Sequence, residues 1–504
     1  MTGPRTAGPP RRRLVPKALT HERPRPERIR DLPGAWWLAV ATVCFGAFMG
    51  QLDASIVTLT YGSLRTEFGA ELAAVEWVSL AYLITLVALL VPAGRLADAH
   101  GRKLFYLYGF VVFTVASAAC GLAPSLGALI GCRILQAAGA AMMQANSVAL
   151  VATSAPRGRM RTALGVQAAA QALGLALGPT VGGALVSTLG WRWVFGVNVP
   201  VGLVALVAGH YLLPRTRSRQ HVTGFDWPGL ALLAVATTSG LLGVSAASGL
   251  PVPVWGIGGL FVLCAVSAWA FVERQRRAAT PLLDLKLLRL RAVASGLLGA
   301  LSGYLVLFGP LVLVPVVLTG NGHSDLTAGA VLTALPAGFA AAATTADRLL
   351  PPTLTDRTRC LLGAAVCTVA LAALLVVPLT PAGLAPLLAL LGMGLGTFTP
   401  ANNTLIMGAI PAASSGTGGG LVNMTRGLGT ALGVALVTLA LHAAPTHGTL
   451  DGPRWALIVL IAASALTLAA AWLGPGSKDG TRHGRRPSRR PCGEARRHAG
   501  RPAR

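Results

Sequence analysis

Apolar residues in this chain arrive in repeated blocks of about twenty, the length at which a helix crosses the hydrocarbon core of a bilayer. That spacing constrains the fold more than any other property. In lipid, only helices and closed barrels satisfy every backbone donor and acceptor. A barrel would alternate apolar and polar residues over short segments, whereas these blocks run uninterrupted and read as helices. Composition agrees: 53% of the 504 residues are hydrophobic and 12% are charged. That is too little charge to cover a soluble protein of this size, and the mean hydropathy is +0.63.

Fourteen blocks stand out, near 36–60, 77–97, 104–122, 125–153, 162–186, 193–213, 227–247, 254–272, 292–318, 327–346, 360–379, 383–409, 416–442 and 454–474. An even number places both tails on one side, and the charges test the count independently. If both tails are cytoplasmic, the inner segments hold 37 of the 42 Lys and Arg residues. The outer loops hold only Arg65, Arg192 and Arg454, while Arg133 and Arg426 fall inside spans. The outer loops also carry five acids, Glu67, Glu71, Glu76, Asp325 and Asp451. A miscounted helix would mix these populations from the error onward, and cytoplasmic loops are the ones that collect Lys and Arg. The same distribution removes the nucleic-acid reading that a net charge of +25 invites, because the charge sits in tails and short loops.

The expected architecture is all-α and integral to the membrane, with fourteen transmembrane helices and both termini cytoplasmic. Basic segments flank the pair 227–247 and 254–272, which reads as a hairpin inserted between two six-helix halves, a 6+2+6 organisation. The expected divisions are a basic N-tail over 1–34, a six-helix bundle over 35–213, the hairpin with its linkers over 214–291, a second bundle over 292–474, and a basic C-tail over 475–504. Both tails are rich in Arg and Pro and poor in aliphatics, and both read as disordered. The first span, rather than a cleaved signal peptide, is expected to direct insertion. The seven cysteines are scattered with no CxxC, and they read as free, buried small hydrophobes.

Four segments carry more than hydrophobicity. The loop between the second and third spans reads GRLADAHGRK, with Gly94 and Gly101 bracketing Asp98, and Arg102 and Lys103 opposite that acid. An ordinary positive-inside loop does not require a carboxylate at the base of the next helix. The fourth span holds RILQAAGAA, with Arg133 about eight residues inside it. A charge at that depth faces a cavity or a partner more often than it snorkels. The fifth span holds ALGLALGPTVGGAL, in which Gly174, Gly178 and Gly182 recur every four residues, with Pro179 and Gly183 beside them. Small residues at that interval let two helices approach closely, and a mid-helix proline bends the axis.

The first span holds LDASIVTL, where Asp53 is the one acid placed inside a span; the other sixteen lie in tails, loops or at span edges. A buried carboxylate without a partner takes up a proton, which suits a proton carrier, and a structural partner for a buried cation fits the same position. Asp53 lies about seven residues from the outer end of its span and Arg133 about eight from its own, so at about 1.5 Å per residue the two sit at similar depth. Gln51, Gln144, Asn146, Gln167, Gln171, Asn402, Asn403 and Asn423 are polar residues placed to line a cavity, or equally to make interhelical hydrogen bonds.

These segments resemble the signature motifs of the major facilitator superfamily (MFS). GRLADAHGRK resembles motif A, matched at Gly94, Asp98, Gly101, Arg102 and Lys103, with Ala99 where the family usually has a basic residue. RILQAAGAA resembles motif B, with Ala137 in place of the usual Gly, and the GxxxGPxxGG run resembles motif C, which marks antiporters. LDASIVTL resembles the LDxTIVNVALP signature of the fourteen-helix drug:proton antiporters (EmrB/QacA type), with Thr58 replacing Asn and the closing ALP absent. WRWVFGVNVPVG at 191–202 and RGLGTALGVA at 426–435 fit the same branch, whereas TLTDRTR at 353–359, the counterpart of motif A, is degenerate.

The resemblance spans about residues 35–474. It implies the MFS fold, an inner gate at Asp98 and Arg102, proton transfer at Arg133 with Asp53, and export of a small lipophilic compound against protons. Uptake of a small metabolite and a transport-inactive membrane sensor are the alternatives. HExxH, GxSxG and GxxxxGK[ST] are absent from the sequence, so neither enzymatic chemistry nor an ATP site is expected, and the energy source is an ion gradient. No cofactor, metal or nucleic-acid partner is expected. The chain is expected to act as a monomer in the bacterial plasma membrane, with the lipid bilayer, protons and a small lipophilic substrate as its partners.

Overall fold

The computed structural model describes residues 22, 24–32, 34–216, 224–247, 252–442 and 452–474. Among these the chain is helical, with no strand. Thirteen helices are long and apolar enough to cross a membrane, and a bent helix supplies the fourteenth span.

In chain order the long helices are α1 (Ala35–Ile56), α2 (Leu72–His100), α3 (Arg102–Gly121), α4 (Leu126–Ser154), α5 (Met160–Thr188), α6 (Asn198–Leu212), α7 (Trp227–Ala247), α8 (Val254–Arg277), α9 (Arg291–Gly320), α10 (Ala334–Leu349), α11 (Asp356–Val376), α12 (Pro381–Ala409), α13 (Ser415–His442) and α14 (Gly452–Leu473). Local chemistry sets many of the boundaries. Ser125, Thr355 and Thr380 cap α4, α11 and α12 with their hydroxyl oxygens, and Pro381 opens α12, where its missing N–H costs nothing. Gly101 alone separates α2 from α3, at φ +117, a conformation that residues with a Cβ rarely adopt. That single residue turns the chain back sharply enough to set Asp98 beside Arg102.

Three spans are less regular than their apolar blocks suggest. α1 continues through a 3₁₀ turn into Tyr61–Phe68; a short helix, Arg192–Gly196, precedes α6; and Asp325–Leu332 precedes α10. α5 is bent by 41° between Met160–Gly178 and Thr180–Thr188, at Pro179.

α1 packs against α5, α3 against α4 and α6, and α2 against α4. In the second set α9 packs against α13 and α14, α10 against α12, and α11 against α12 and α14. The α7–α8 pair packs on itself and rests through α7 on α2 and α13. α8 exposes Trp255, Phe261, Val262, Leu263, Val266 and Trp269, an apolar surface suited to lipid. The two six-helix sets meet along two seams, α2 against α13 and α5 against α10, with α4–α13 and α5–α12 between them. A Cβ at Gly94, Gly419 or Gly420 would overlap a backbone carbonyl of the opposite set, so α13 closes backbone to backbone against both α2 and α4.

The end of the N-tail departs from expectation. Glu22 is buried and accepts hydrogen bonds from the Thr216 amide (2.8 Å), the Thr216 hydroxyl (2.9 Å) and the Leu104 amide (3.3 Å), and Arg25 donates to the Leu212 carbonyl. Glu27–Arg30 is helical. The first turn of a helix leaves amides without intrahelical acceptors, and Glu22 supplies one for α3. The rest of the N-tail, the C-tail with Cys492, and parts of the loops after α6, α7 and α13 lie outside the described residues.

Candidate functional site

Asp53 sits near the end of α1, wholly buried, and Arg133 reaches it from α4 with its guanidinium Nη1 2.7 Å from Oδ2. Gln136 Nε2 and Asn198 Nδ2 each donate to Asp53 Oδ1 at 2.9 Å. Arg133 also donates to Gln136 Oε1 (2.6 Å) and to the Val78 carbonyl (3.1 Å), and Gln136 donates to Ser117 Oγ at 2.8 Å. The Tyr82 ring lies under the guanidinium, 4.0 Å from its central carbon, with Phe195 at 5.7 Å. Every neighbour within hydrogen-bonding reach of the carboxylate is a donor, so it is held as an acceptor-only group. Five helices meet in this buried cluster: α1, α3, α4 and α6, with α2 contributing the Val78 carbonyl and the Tyr82 ring.

Sequence reasoning placed Asp53 and Arg133 but not Gln136 or Asn198. Gln136 is three residues past Arg133 and therefore on the same helix face. Asn198 lies in the WRWVFGVNV run, and the break between Gly196 and α6 aims it inward. Earlier in that run, Trp191 Nε1 and Arg192 Nη1 donate to the two Glu67 oxygens at 2.5 and 2.6 Å.

The loop between α2 and α3 builds an ionic latch across the two sets. Asp98 accepts from Arg102 Nε (2.9 Å) and Nη2 (2.8 Å) in its own set. Across the seam it accepts from the Gly416 amide (2.8 Å), the Thr417 amide (2.7 Å) and the Thr417 hydroxyl (2.8 Å). A carboxylate therefore caps the N-terminus of α13, where unpaired amides and the helix dipole favour negative charge. Arg102 completes the bridge by donating to the Ala412 carbonyl at 2.5 Å and the Ala413 carbonyl at 3.3 Å. Gly94 and Gly416 make the approach possible. Lys103 corrects the expectation that it opposes Asp98: it donates instead to the His210 (2.7 Å) and Leu213 (2.9 Å) carbonyls at the end of α6. Arg102 already fills the near side of Asp98, and carbonyls at a helix C-terminus attract an ammonium.

The other seam carries the counterpart. Arg161, at the start of α5, pairs with Asp347 (2.5 Å) and Asp356 (2.7 Å), Thr162 donates to Asp347 at 2.6 Å, and buried Arg359 donates to Asp347 at 3.2 Å. The TLTDRTR stretch, degenerate by motif, thus still supplies Asp356 and Arg359 to a second ionic cluster.

The small residues of α5 divide. A Cβ at Gly174, Gly178 or Gly182 would overlap α1 at Phe48, Ser55 or Ile56, whereas nothing lies within 4 Å of one at Gly183. Gly183 thus plays no part in close packing.

The polar residues also divide. Asn402 donates to the Gly296 carbonyl (2.8 Å) within the second set, and Asn146 to the Met142 carbonyl (2.8 Å) of its own helix. Asn423 donates to the Gln144 carbonyl across the seam at 2.8 Å, and Gln167 donates to Ser147 at 3.2 Å. Gln51 packs beside Gly174, and Gln144 beside Gly50. Gln171 accepts from Arg426 at 3.3 Å, and the buried Asn403 leaves its Nδ2 without a partner. In the sequence Arg426 stands out only as a charge inside a span and as the start of the RGLGTALGVA run.

Two helical bundles meeting at paired ionic seams, with a buried carboxylate–arginine cluster in one of them, have the organisation of a membrane transporter. Residues 43–434 match the family model described as Major Facilitator Superfamily, and the chain belongs to that superfamily. It is 36% identical over 270 residues to the tetracenomycin C resistance and export protein of Streptomyces glaucescens, covering 53% of this chain and 49% of that one. It is 28% identical to the riboflavin transporter RibZ of Clostridioides difficile, over 79% of this chain and 87% of that one. The crystal structure of the human organic anion transporter MFSD10 superposes with a TM-score of 0.64 at 16% identity, over 88% of this chain and all of that one, a likeness of fold. Resistance and export proteins among the relatives place the chain with the drug:proton antiporter branch, and these relatives are transporters rather than enzymes.

Proposed function

We propose that the chain exports a small lipophilic compound in exchange for protons, as a monomer in a bacterial plasma membrane with both termini cytoplasmic. The observation that carries this reading is the Asp53–Arg133–Gln136–Asn198 cluster, built around a buried charge pair, whose members come from three helices, α1, α4 and α6. A proton reaching Asp53 from outside neutralises the carboxylate, which removes the partner of Arg133 and lets α1 and α4 separate. The proton leaves on the inner side as the pair re-forms around fresh substrate. The glycines of α5 against α1, with the bend at Pro179, supply the sliding surface, and the latches at Asp98 and at Asp347 close the inner side in the alternate half of the cycle.

In everted vesicles an acid lumen should drive accumulation of an exported dye, and Asp53→Asn should abolish that accumulation while leaving the protein in the membrane. Loading that ignores the proton gradient sinks the proposal. The likeness to a riboflavin transporter favours a second reading, uptake of a metabolite. Under that reading the same substrate accumulates in right-side-out vesicles instead.

A further inference from the structure

We propose that Arg426 recognises the transported compound, and that this compound is a lipophilic organic anion such as a carboxylate or an acidic phenolate. This inference rests on the transport reading above and adds the charge of the substrate to it. Four arginines are buried among the described residues: Arg102, Arg133, Arg359 and Arg426. The first three hold a carboxylate at 2.8, 2.7 and 3.2 Å. Arg426 holds none. Its Nη1 makes two long hydrogen bonds, to Gln171 Oε1 and Asn423 Oδ1, both at 3.3 Å, and the Tyr304 ring lies 5.1 Å from its central carbon. Its Nε and Nη2 have no partner. A buried cation without a counter-charge carries a desolvation cost that folded proteins normally offset by pairing, and the free Nε and Nη2 edge has the fork geometry that takes a carboxylate.

The position suits a substrate site. Arg426 lies mid-way along α13, and its contacts come from both sets, Gln171 on α5 and Tyr304 on α9. The neighbouring Gly427 faces Val87 of α2 across the seam. Other buried polar atoms without partners sit on helices that meet there, Gln167 Oε1 on α5, Asn146 Oδ1 on α4 and Asn403 Nδ2 on α12. An anion held by Arg426 would bridge the two sets. The cationic drugs that an acid-lined cavity attracts would be repelled, since the one acid deep in a span, Asp53, is already engaged by three donors.

The test uses the full chain in lipid nanodiscs and three matched probes: 1-naphthoate, the neutral 1-naphthamide and 1-naphthylmethylammonium. Wild type should bind the naphthoate at least about 10-fold tighter than the amide and the ammonium more weakly still, a margin typical of a charge-assisted hydrogen bond lost. Arg426→Gln should bind naphthoate and naphthamide equally while keeping wild-type affinity for the amide, which also reports a folded site; Arg426→Lys should retain part of the preference. Equal binding of the three by wild type, no binding of any, or an unchanged preference in Arg426→Gln overturns the proposal. Vesicle transport separates it from the antiport reading. Proton-driven pumping of the ammonium probe overturns this inference alone, whereas an anion preference without proton-driven pumping overturns antiport alone.

Discussion

Arg133 is held at once by a carboxylate, an amide oxygen and a backbone carbonyl, and lies against an aromatic ring, which only a planar guanidinium with several donors can do. Arg133→Lys keeps the charge but not the geometry. It should insert and fold with a lowered melting temperature and transport at least about 10-fold slower, because an ammonium cannot reach Asp53, Gln136 and Val78 together. Transport at wild-type rate would mean that charge alone suffices. Asp53→Asn leaves Arg133 buried without a counter-charge, and removing one partner of such a pair costs roughly 3–5 kcal/mol; the drop in melting temperature should exceed that of Arg133→Lys. Asp53 and Arg133 were legible in the sequence because each is a lone charge in an apolar run, and the rule that such charges are functional applies equally to Arg426. Asn198 was not legible as a partner, since only the break before α6 turns it toward Asp53.

At the level of elements, the spans followed from the length of uninterrupted apolar runs, with boundaries within a few residues, because a backbone in lipid that does not close into a barrel must be helical. The breaks within α1, α6 and α10 did not follow, since they answer to packing that hydropathy does not encode. The α1–α5 seam makes a prediction on this scale. Gly178→Ala places a methyl group on Ser55 and should lower stability by about 1–3 kcal/mol and slow transport, whereas Gly183→Ala meets nothing and should leave both unchanged. Equal effects from the two would remove the seam from the mechanism. The α7–α8 pair is pinned at its base by Asp226, which accepts from Arg274 Nε (2.7 Å), Gln275 Nε2 (2.9 Å) and the Gly229 amide (3.0 Å). Burial of Asp226 works to raise its carboxyl, and the hydrogen bonds from Arg274, Gln275 and Gly229 outweigh it, so the group lies below its ordinary value of 3.8. A depressed carboxyl contributes stability that is full above the unfolded value and lost as pH falls through the folded one. The anchor should therefore hold through neutral pH and fail only below 3.8, and Asp226→Asn should lower the melting temperature at pH 7 and lose that difference in strong acid.

On the scale of the whole molecule, two ionic clusters join the two helix sets at one end of the bundle: Asp98 on the α13 N-terminus, and Asp347 with Arg161, Asp356 and Arg359. The first was legible in its motif, and the second was hidden because its motif is degenerate, although its charges sit at the equivalent helix ends. Both clusters join the same two bodies, so each biases one opening equilibrium and their effects on the population ratio multiply. Asn in place of Asp98 keeps the shape but loses the charge on the α13 amides and Arg102, a loss of about 1.5–3 kcal/mol for a hydrogen-bonded charge. Spin labels on the exposed positions Arg159 and Thr353, in the α4–α5 and α10–α11 loops, read the opening as a distance distribution in a cysteine-free background. Wild type should populate a short distance. Asp98→Asn and Asp347→Asn should each move about 10-fold more of the population to a longer one, and the double variant should be mostly open. A double variant no more open than either single one would show that the clusters do not share a single equilibrium, and the two-seam account of the closed end would fail with it.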